Sequence, residues 1–513
     1  MDFIKKNYKV LILLIITLFF FTVPINVFWD SAHYTSYVSI FEGILPWKSW
    51  DIVRGPIFPL VIHLSNVLFG KTTMGILITS FLFYLTFLLS IYVILKKVIN
   101  VDNIKKKNIL ITVIMLIFVL DPIIYGYYHS LLTEFVAITL SMLNCYLAWK
   151  WIDLETKNNN KGLIFLSIYF ILITPISWHL KQPYLTITLF PLLISYILTI
   201  IKHRNKSNII FKTTVVILIF FSLICSIITW NKFLESKNID LNSDRNVLNS
   251  FGEQLITGLN NYEIEKENSY DYKYLNNKEK EKINKNNNLL VNVYTPNDKL
   301  IDQTLIKLSN GKISTKDSIL FIGKQFFKHP LLVIESYTSN YLALIDIYPK
   351  TTENNVNYFV EKEFDFDYCH ENCAIAFKSY TYGSNISYLL DDAKNRVINY
   401  EQVNDIPLIQ KGVFRLLSHI AKYIFKIVFV ILPILCVCVI FSLCKKKNKA
   451  YNNILEITLI LVWYSLLHLL VHTVTGACID RYASPAYATT ILAIIIYIYY
   501  LVDKHLKNKL KTL

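Results

Sequence analysis

Ionisable side chains gather at the ends of long apolar segments instead of being spread evenly along the 513 residues. Carboxylates at such positions accept protons or bind metal ions, and Arg and Lys bind anions such as phosphate. A charge at or near membrane depth is costly, so each of these residues is a candidate for function. They fall into four groups: Asp30, His33, Glu42, Asp51 and Arg54; Asp121, His129 and Glu134; His179 and Lys181; Asp480 and Arg481.

The elements that must position these residues are predicted to be membrane-spanning helices. Hydrophobic residues make up 54% of the chain and charged residues 17%, and the mean hydropathy is +0.40. A soluble domain has about 25% charged residues, and a helix needs about 20 apolar residues to cross a bilayer. The pattern predicts an all-α polytopic membrane protein whose ten spans are 10–28, 72–95, 109–126, 131–149, 163–180, 182–201, 209–230, 420–444, 452–474 and 484–502.

Lysine and arginine are distributed unequally between the two sets of loops. With the N-terminus inside, the inner loops and termini carry 23 of these residues, whereas the short outer loops carry five. Because cytoplasmic loops are enriched in positive charge, we expect both termini in the cytoplasm and the candidate residues on the outer face of the cell membrane. The net charge of +15 therefore reflects orientation and contact with anionic lipid, and it does not imply a nucleic-acid partner.

The predicted chain has three regions. Residues 1–230 form a transmembrane module of seven helices, with a first outer loop at 29–71. Residues 231–411 are long enough for one extracytoplasmic α or α+β domain, and 412–513 form a second module of three helices. The apolar stretch 56–70 contains two prolines and is too short to span, so we expect an interfacial or re-entrant helix on the outer face.

The large outer region has two further features. Residues 316–347 read as two amphipathic helices lying on the membrane surface. Cys369 and Cys373 flank His370 in the sequence CHENC, a spacing that allows a local disulfide or part of a metal site.

Three motifs in order resemble the outer loops of GT-C superfamily membrane glycosyltransferases. The similarity is to the protein-mannosyltransferase and aminoarabinose-transferase type, family 39. The first motif combines WDSAHY at 29–34, Gly43, RGPIFPL at 54–60 and FG at 69–70. The second is YGYYHSLLTE at 125–134, and the third is DRYASP at 480–485. The likeness covers the first 200 residues well and the last 60 loosely, whereas 231–411 matches only in position.

The resemblance implies a GT-C-like bundle that transfers a sugar from a polyprenyl-phosphate donor, with inversion, at the outer face. Its acceptor would be a glycan, a lipid or a protein. Asp30 would be the general base, and Glu134 would orient the acceptor or assist Asp30. The donor phosphate would be bound by Arg54, Lys181 and Arg481.

The same resemblance suggests which residues surround the sugar. The sugar or acceptor pocket would include His33, Tyr34, Tyr128 and His129. Some relatives bind a divalent cation near the acids, and here Asp30 and Glu134 would be the ligands, although the sequence does not demand a metal or any other cofactor. Some relatives also carry adjacent Asp and Glu in the first loop, whereas here Ser31 follows Asp30.

Each candidate also has an ordinary structural explanation. Asp30 is at a position where it would cap a short helix, and Glu134 would lie at a wet helix end. Arginine and lysine at these depths also extend to lipid headgroups, and aromatic residues form interfacial belts.

Two other functional classes fit a protein with many spans. A flippase or transporter for a lipid-linked glycan would carry charged or Gly- and Pro-broken spans near the bilayer midplane, where this chain has few charges. An O-antigen-type polymerase or ligase would place key arginines in its large outer loop, and residues 231–411 hold only Arg245 and Arg396.

The predicted orientation is testable by cysteine labelling in a cysteine-free background. Lys48→Cys in the first outer loop should react with a membrane-impermeant thiol reagent added to intact cells. Lys106→Cys in a predicted inner loop should react only after the membrane is permeabilised. The reverse pattern would contradict the charge-based topology.

Overall fold

Helices make up the described part of the chain. The computed structural model describes residues 16–18, 20–21, 25, 29–50, 54–157, 159–203, 206–239, 319–320, 323, 326–327, 330–345, 347, 408–444, 452–475 and 480–512. No strand occurs within these ranges. Cys369, Cys373 and most of the predicted domain 231–411 lie outside them.

Within these ranges, thirteen α-helices and three short 3-10 turns follow one another. The 3-10 turns are Trp47–Ser49, Gln182–Tyr184 and Asp480–Ala483. The α-helices are α1 (Trp29–Phe41), α2 (Ile57–Phe69), α3 (Thr73–Val98), α4 (Ile104–Leu120), α5 (Pro122–Tyr128), α6 (Glu134–Thr156), α7 (Asn160–Leu180), α8 (Leu185–His203), α9 (Lys206–Ser236), α10 (Pro330–Leu344), α11 (Leu408–Cys444), α12 (Asn452–Val474) and α13 (Ser484–Thr512).

The long helices make this a helical, multi-pass membrane protein. Eight of the described helices are long and apolar enough to cross a bilayer, and α4 with α5 adds a ninth if the pair is one broken span. If that pair is counted, nine of the ten predicted spans have a counterpart among the described helices. The tenth, at 10–28, lies mostly outside the described residues.

The predicted span at 109–126 corresponds to a broken helix, because the chain bends by 60° between α4 and α5. Pro122 has no amide proton and disfavours a helical conformation in the residue before it. Asp121 begins a new helix, since its carboxylate accepts hydrogen bonds from the Ile123 and Ile124 amides at 2.9 and 3.0 Å. The Tyr487 hydroxyl of α13 donates to the same carboxylate at 2.9 Å.

The apolar stretch 56–70, within the first outer loop, forms the short helix α2. Its 13 residues rise roughly 20 Å, which is less than the apolar thickness of a bilayer. Gly70 ends the helix with a φ of +82°, a conformation that glycine adopts without strain. Thr72 then accepts a hydrogen bond from the Gly75 amide and caps α3.

The bundle centre is formed by α6, α8, α12 and α13, whose facing surfaces pack together. Helix α10, from the stretch predicted to lie on the membrane surface, packs against α12. The Asn340 amide donates to the Thr473 carbonyl at 3.0 Å, and the Tyr341 hydroxyl donates to the Phe429 carbonyl at 2.9 Å. Helix α10 is therefore tied to the transmembrane helices α11 and α12.

A buried ion pair joins α6 to α9. The Lys212 ammonium lies 2.6 Å from a Glu155 carboxylate oxygen, and both side chains are almost fully buried. Thr199 of α8 contacts both groups, and the Trp151 ring lies 4.7 Å from the ammonium. The two charges neutralise each other and hold three helices together.

Removing one charge of this pair should destabilise the protein more than removing both charges. Glu155→Gln leaves Lys212 buried without its counter-charge, which should cost about 3–5 kcal/mol of unfolding free energy. The double variant Glu155→Leu/Lys212→Met should unfold closer to the wild-type temperature in detergent. Equal destabilisation by the single and double variants would show that the charges do not act as a pair.

Candidate active site

Three chain segments that are distant in sequence meet at one end of the bundle. Glu134 is the first residue of α6, and Lys181 directly follows α7. Arg481 lies in the 3-10 turn that leads into α13. An acid in the first turn of a helix and a cation after the last turn are both favoured by the helix dipole. Arg481 precedes a helix, where the dipole disfavours a positive charge, so an acidic neighbour is needed to stabilise its guanidinium.

Glu134 is the acidic centre of this cluster. Its side chain is 1% exposed, and its Oε1 atom lies 3.7 Å from Arg481 Nε and 3.9 Å from Lys181 Nζ. Both separations exceed hydrogen-bond length, so the attraction is between charges. The Thr133 hydroxyl donates to the other carboxylate oxygen at 3.1 Å. A buried carboxylate requires such neighbours, because burying an unpaired charge is costly.

The Tyr482 ring links the two cations. Lys181 Nζ lies 3.9 Å from the ring centroid, a short cation–π contact. The Arg481 guanidinium donates to the Tyr482 hydroxyl at 3.4 Å. Burial alone would lower the pKa of Lys181, but Tyr482 and Glu134 outweigh it and the net pKa is raised. Lys181 is therefore positively charged at neutral pH. Its favourable contribution to folding stability is lost only as the pH rises through that raised pKa.

The first outer loop packs against the same region. The Ser31 hydroxyl of α1 donates to the Leu131 carbonyl at 2.7 Å, three residues before Glu134. The Arg54 guanidinium donates to the Tyr34 hydroxyl at 3.2 Å. Five of the predicted site residues thus lie in these contacts, namely Tyr34, Arg54, Glu134, Lys181 and Arg481.

Gly55 fixes the approach of Arg54 to the bundle. A Cβ atom added at Gly55 would lie 1.8 Å from the carbonyl oxygen of His179, in the last turn of α7. Only glycine allows the loop to come this close to the helix that ends beside Lys181. The Trp50 indole donates to the Arg54 carbonyl at 3.1 Å and fixes the other side of the loop.

Several predicted residues have side chains outside the described part of the structure. The backbones of Asp30 and His33 lie in α1, but their side chains are not described, and neither is the side chain of Asp480. Asp51 lies outside the described residues altogether. The predicted base, Asp30, thus belongs to a helix that contacts the segment before Glu134. The position of its carboxylate stays a prediction.

The two aromatic residues predicted from the second motif are engaged within the protein. Tyr128 is fully buried, and its hydroxyl lies 2.7 Å from the Thr139 hydroxyl. The two ring nitrogens of His129 lie 2.9 and 3.0 Å from the carbonyl oxygens of Tyr125 and Phe20. Both side chains hold the α5 region against its neighbours. The structure does not place them in contact with Glu134.

Glu42 of the first loop belongs to a different contact. Its carboxylate lies 2.6 Å from Lys71 and 3.9 Å from His63, next to α2. This pair is partly exposed, as expected for a surface ion pair with a small energetic contribution.

Sequence reasoning did not single out Tyr184 or His468 as site residues. Tyr184 lies in the turn after α7, with its ring centroid 5.6 Å from Lys181 Nζ. His468 of α12 contacts the Thr186 hydroxyl at 2.6 Å and the Tyr482 carbonyl at 2.9 Å. A signal for His468 was present, because His468 and His472 lie one helical turn apart in an apolar segment.

The described part of the cluster suits an anion better than a metal ion. No group of three His, Cys, Asp or Glu side chains lies close enough to hold a metal within the described ranges. Lys181 and Arg481 flank Glu134 and would repel a divalent cation there. An ammonium and a guanidinium are the groups that bind an anionic ligand such as a phosphate diester.

Comparison with known proteins yields no relative: no family model, no curated protein and no solved structure matches this chain.

The close contact at Gly55 is testable by its effect on stability. Gly55→Ala should lower the free energy of unfolding by about 1–3 kcal/mol, because the new methyl group overlaps backbone that cannot move away. Gly323→Ala is the matched control, since a Cβ there meets nothing within 4 Å. Thermal unfolding in detergent measures both. Equal stability of the two variants would contradict the described packing of the first loop.

Proposed function

We propose that the protein is a membrane glycosyltransferase. It transfers a sugar from a polyprenyl-phosphate donor to a glycan, lipid or protein acceptor at the extracytoplasmic face. Both termini would lie in the cytoplasm. The fold would be a GT-C-like bundle, in which residues 231–411 form the outer domain.

The observation that carries this proposal is the convergence of Lys181 and Arg481 on Glu134, with α1 and Arg54 packed beside them. The two cations come from separate helix ends, and the contacts to Glu134 are longer than hydrogen bonds. An ammonium and a guanidinium held in this way stabilise negative charge that develops on a departing phosphate. Because Lys181 and Arg481 lie at helix ends, they favour a site that is open to one side of the membrane. Transporters instead bind their substrate near the bilayer midplane.

In the proposed reaction, an acceptor hydroxyl oxygen attacks the anomeric carbon of the donor sugar. The new bond forms as the bond between that carbon and the phosphate oxygen breaks, so the configuration inverts. Asp30 takes the proton of the acceptor hydroxyl. Lys181 and Arg481 stabilise the polyprenyl phosphate that leaves. Glu134 is flanked by both cations, so its role is to hold them in place.

Substitution of Asp30 tests the proposal most simply. Asp30→Asn should lower the transfer of sugar from a polyprenyl-phosphate donor at least about 100-fold, because general-base catalysis contributes factors of this size. The protein should still insert and should still bind a bare polyprenyl phosphate. Glu42→Gln is the control, because Glu42 is paired with Lys71 outside the cluster. Wild-type turnover by Asp30→Asn would remove Asp30 as the base.

A second substitution separates binding from chemistry. Arg481→Ala should weaken binding of a bare polyprenyl phosphate about tenfold or more, since it removes one of two cations from a partly desolvated site. Lys71→Ala, which removes an exposed cation from the Glu42 pair, should leave that affinity unchanged. Equal affinities for both variants would contradict a phosphate site at Arg481.

A further inference from the structure

His472 is a buried polar residue with no hydrogen-bond partner among the described residues. It lies in the last turn of α12, and its side chain is fully buried. Neither ring nitrogen has a hydrogen-bond partner within the described ranges. Buried polar groups in folded proteins are nearly always hydrogen-bonded, so both nitrogens require an explanation.

The His472 ring borders the cation cluster through Tyr482. The two rings are stacked, with centroids 5.2 Å apart and an interplanar angle of 18°. The same Tyr482 ring contacts Lys181 Nζ at 3.9 Å, and its hydroxyl accepts a hydrogen bond from Arg481. One aromatic side chain therefore connects His472 to Lys181 and Arg481, two of the three predicted phosphate ligands.

His468 provides the contrast within the same helix. Its ring lies 4.8 Å from the ring of His472, and both of its nitrogens contact protein oxygens, from Thr186 and Tyr482. His468 holds the turn that carries Tyr482. His472, one turn further along α12, makes no such hydrogen bond within the described ranges.

The chemistry of the imidazole indicates what it would bind. Complete burial and the nearby Lys181 ammonium disfavour a positive charge on the imidazole, so His472 is a neutral ring with one donor and one acceptor. A phosphate oxygen only accepts hydrogen bonds and leaves the second nitrogen unused. Sugar hydroxyls donate and accept, so they satisfy both nitrogens.

We propose that His472 recognises hydroxyl groups of the donor sugar, next to the phosphate held by Lys181 and Arg481. This inference rests on the proposed function and adds the residue that distinguishes a sugar-bearing lipid from the bare lipid phosphate.

The first test compares ligand-free stability. His472→Phe keeps the ring stacked on Tyr482 and removes two unsatisfied polar atoms, so its unfolding temperature should equal or exceed that of the wild type. His468→Phe, the matched control, breaks bonds to Thr186 and Tyr482 and should unfold at a lower temperature. A His472→Phe protein that is destabilised as much as His468→Phe, or that fails to fold, overturns the inference.

The second test measures binding of two probes, a polyprenyl phosphate and the same lipid carrying one glucose or mannose. His472→Phe should bind the bare lipid as the wild type does and should bind the hexosyl lipids about tenfold more weakly. His472→Gln, which keeps a donor and an acceptor, should recover part of this loss. An equal loss for both probes, or no loss for either, overturns the role of His472 in sugar recognition.

The two proposals fail in different ways. If the wild-type protein binds neither lipid, the proposed function fails and the role of His472 fails with it. If the wild type prefers hexosyl lipids and His472→Phe keeps that preference, the role of His472 alone is excluded.

Discussion

The buried carboxylate of Glu134 is the constraint on which the rest of this end of the bundle depends. A negative charge that is 1% exposed is tolerated only when cations lie next to it. Those cations come from the end of α7 and from the turn before α13. The need to neutralise Glu134 therefore brings three helix ends to one place, and the Ser31 bond to Leu131 adds the start of α1.

The two buried acids of α6 make ion pairs of different geometry. Glu155 and Lys212 are in hydrogen-bond contact at 2.6 Å, and one charge cancels the other. Glu134 lies 3.7 and 3.9 Å from two cations, which is beyond hydrogen-bond length. The cations beside Glu134 come from two separate helix ends, and our proposal places the donor phosphate next to them.

Helix periodicity and hydropathy were sufficient to predict most of the fold. They predicted long apolar helices, the short helix after Pro56 and the position of Glu134, Lys181 and Arg481 at helix ends. They did not predict the bend at Asp121, because a hydropathy average does not register that this acid caps a new helix before Pro122. A run of hydrophobic residues simply continues across both.

The finer features of the site depend on tertiary contacts that no single segment reveals. Tyr128 and His129 were predicted from their motif to line the sugar pocket, and this stays a prediction. Their contacts with Thr139 and with the carbonyls of Tyr125 and Phe20 are evident only from the structure. The proposed role of His472 rests on its stacking against Tyr482 and on ring nitrogens that have no hydrogen-bond partner in the described part of the chain. The ring stack joins α12 to a turn that follows it, and sequence spacing does not encode that geometry.

The most direct measurement of the central claim is an experimental structure of the protein in lipid nanodiscs with a bound polyprenyl phosphate. The account predicts that the phosphate lies within about 4 Å of both Lys181 and Arg481, with the Asp30 carboxylate lining the same chamber. A phosphate bound elsewhere, or Lys181 and Arg481 on separate surfaces, would contradict it.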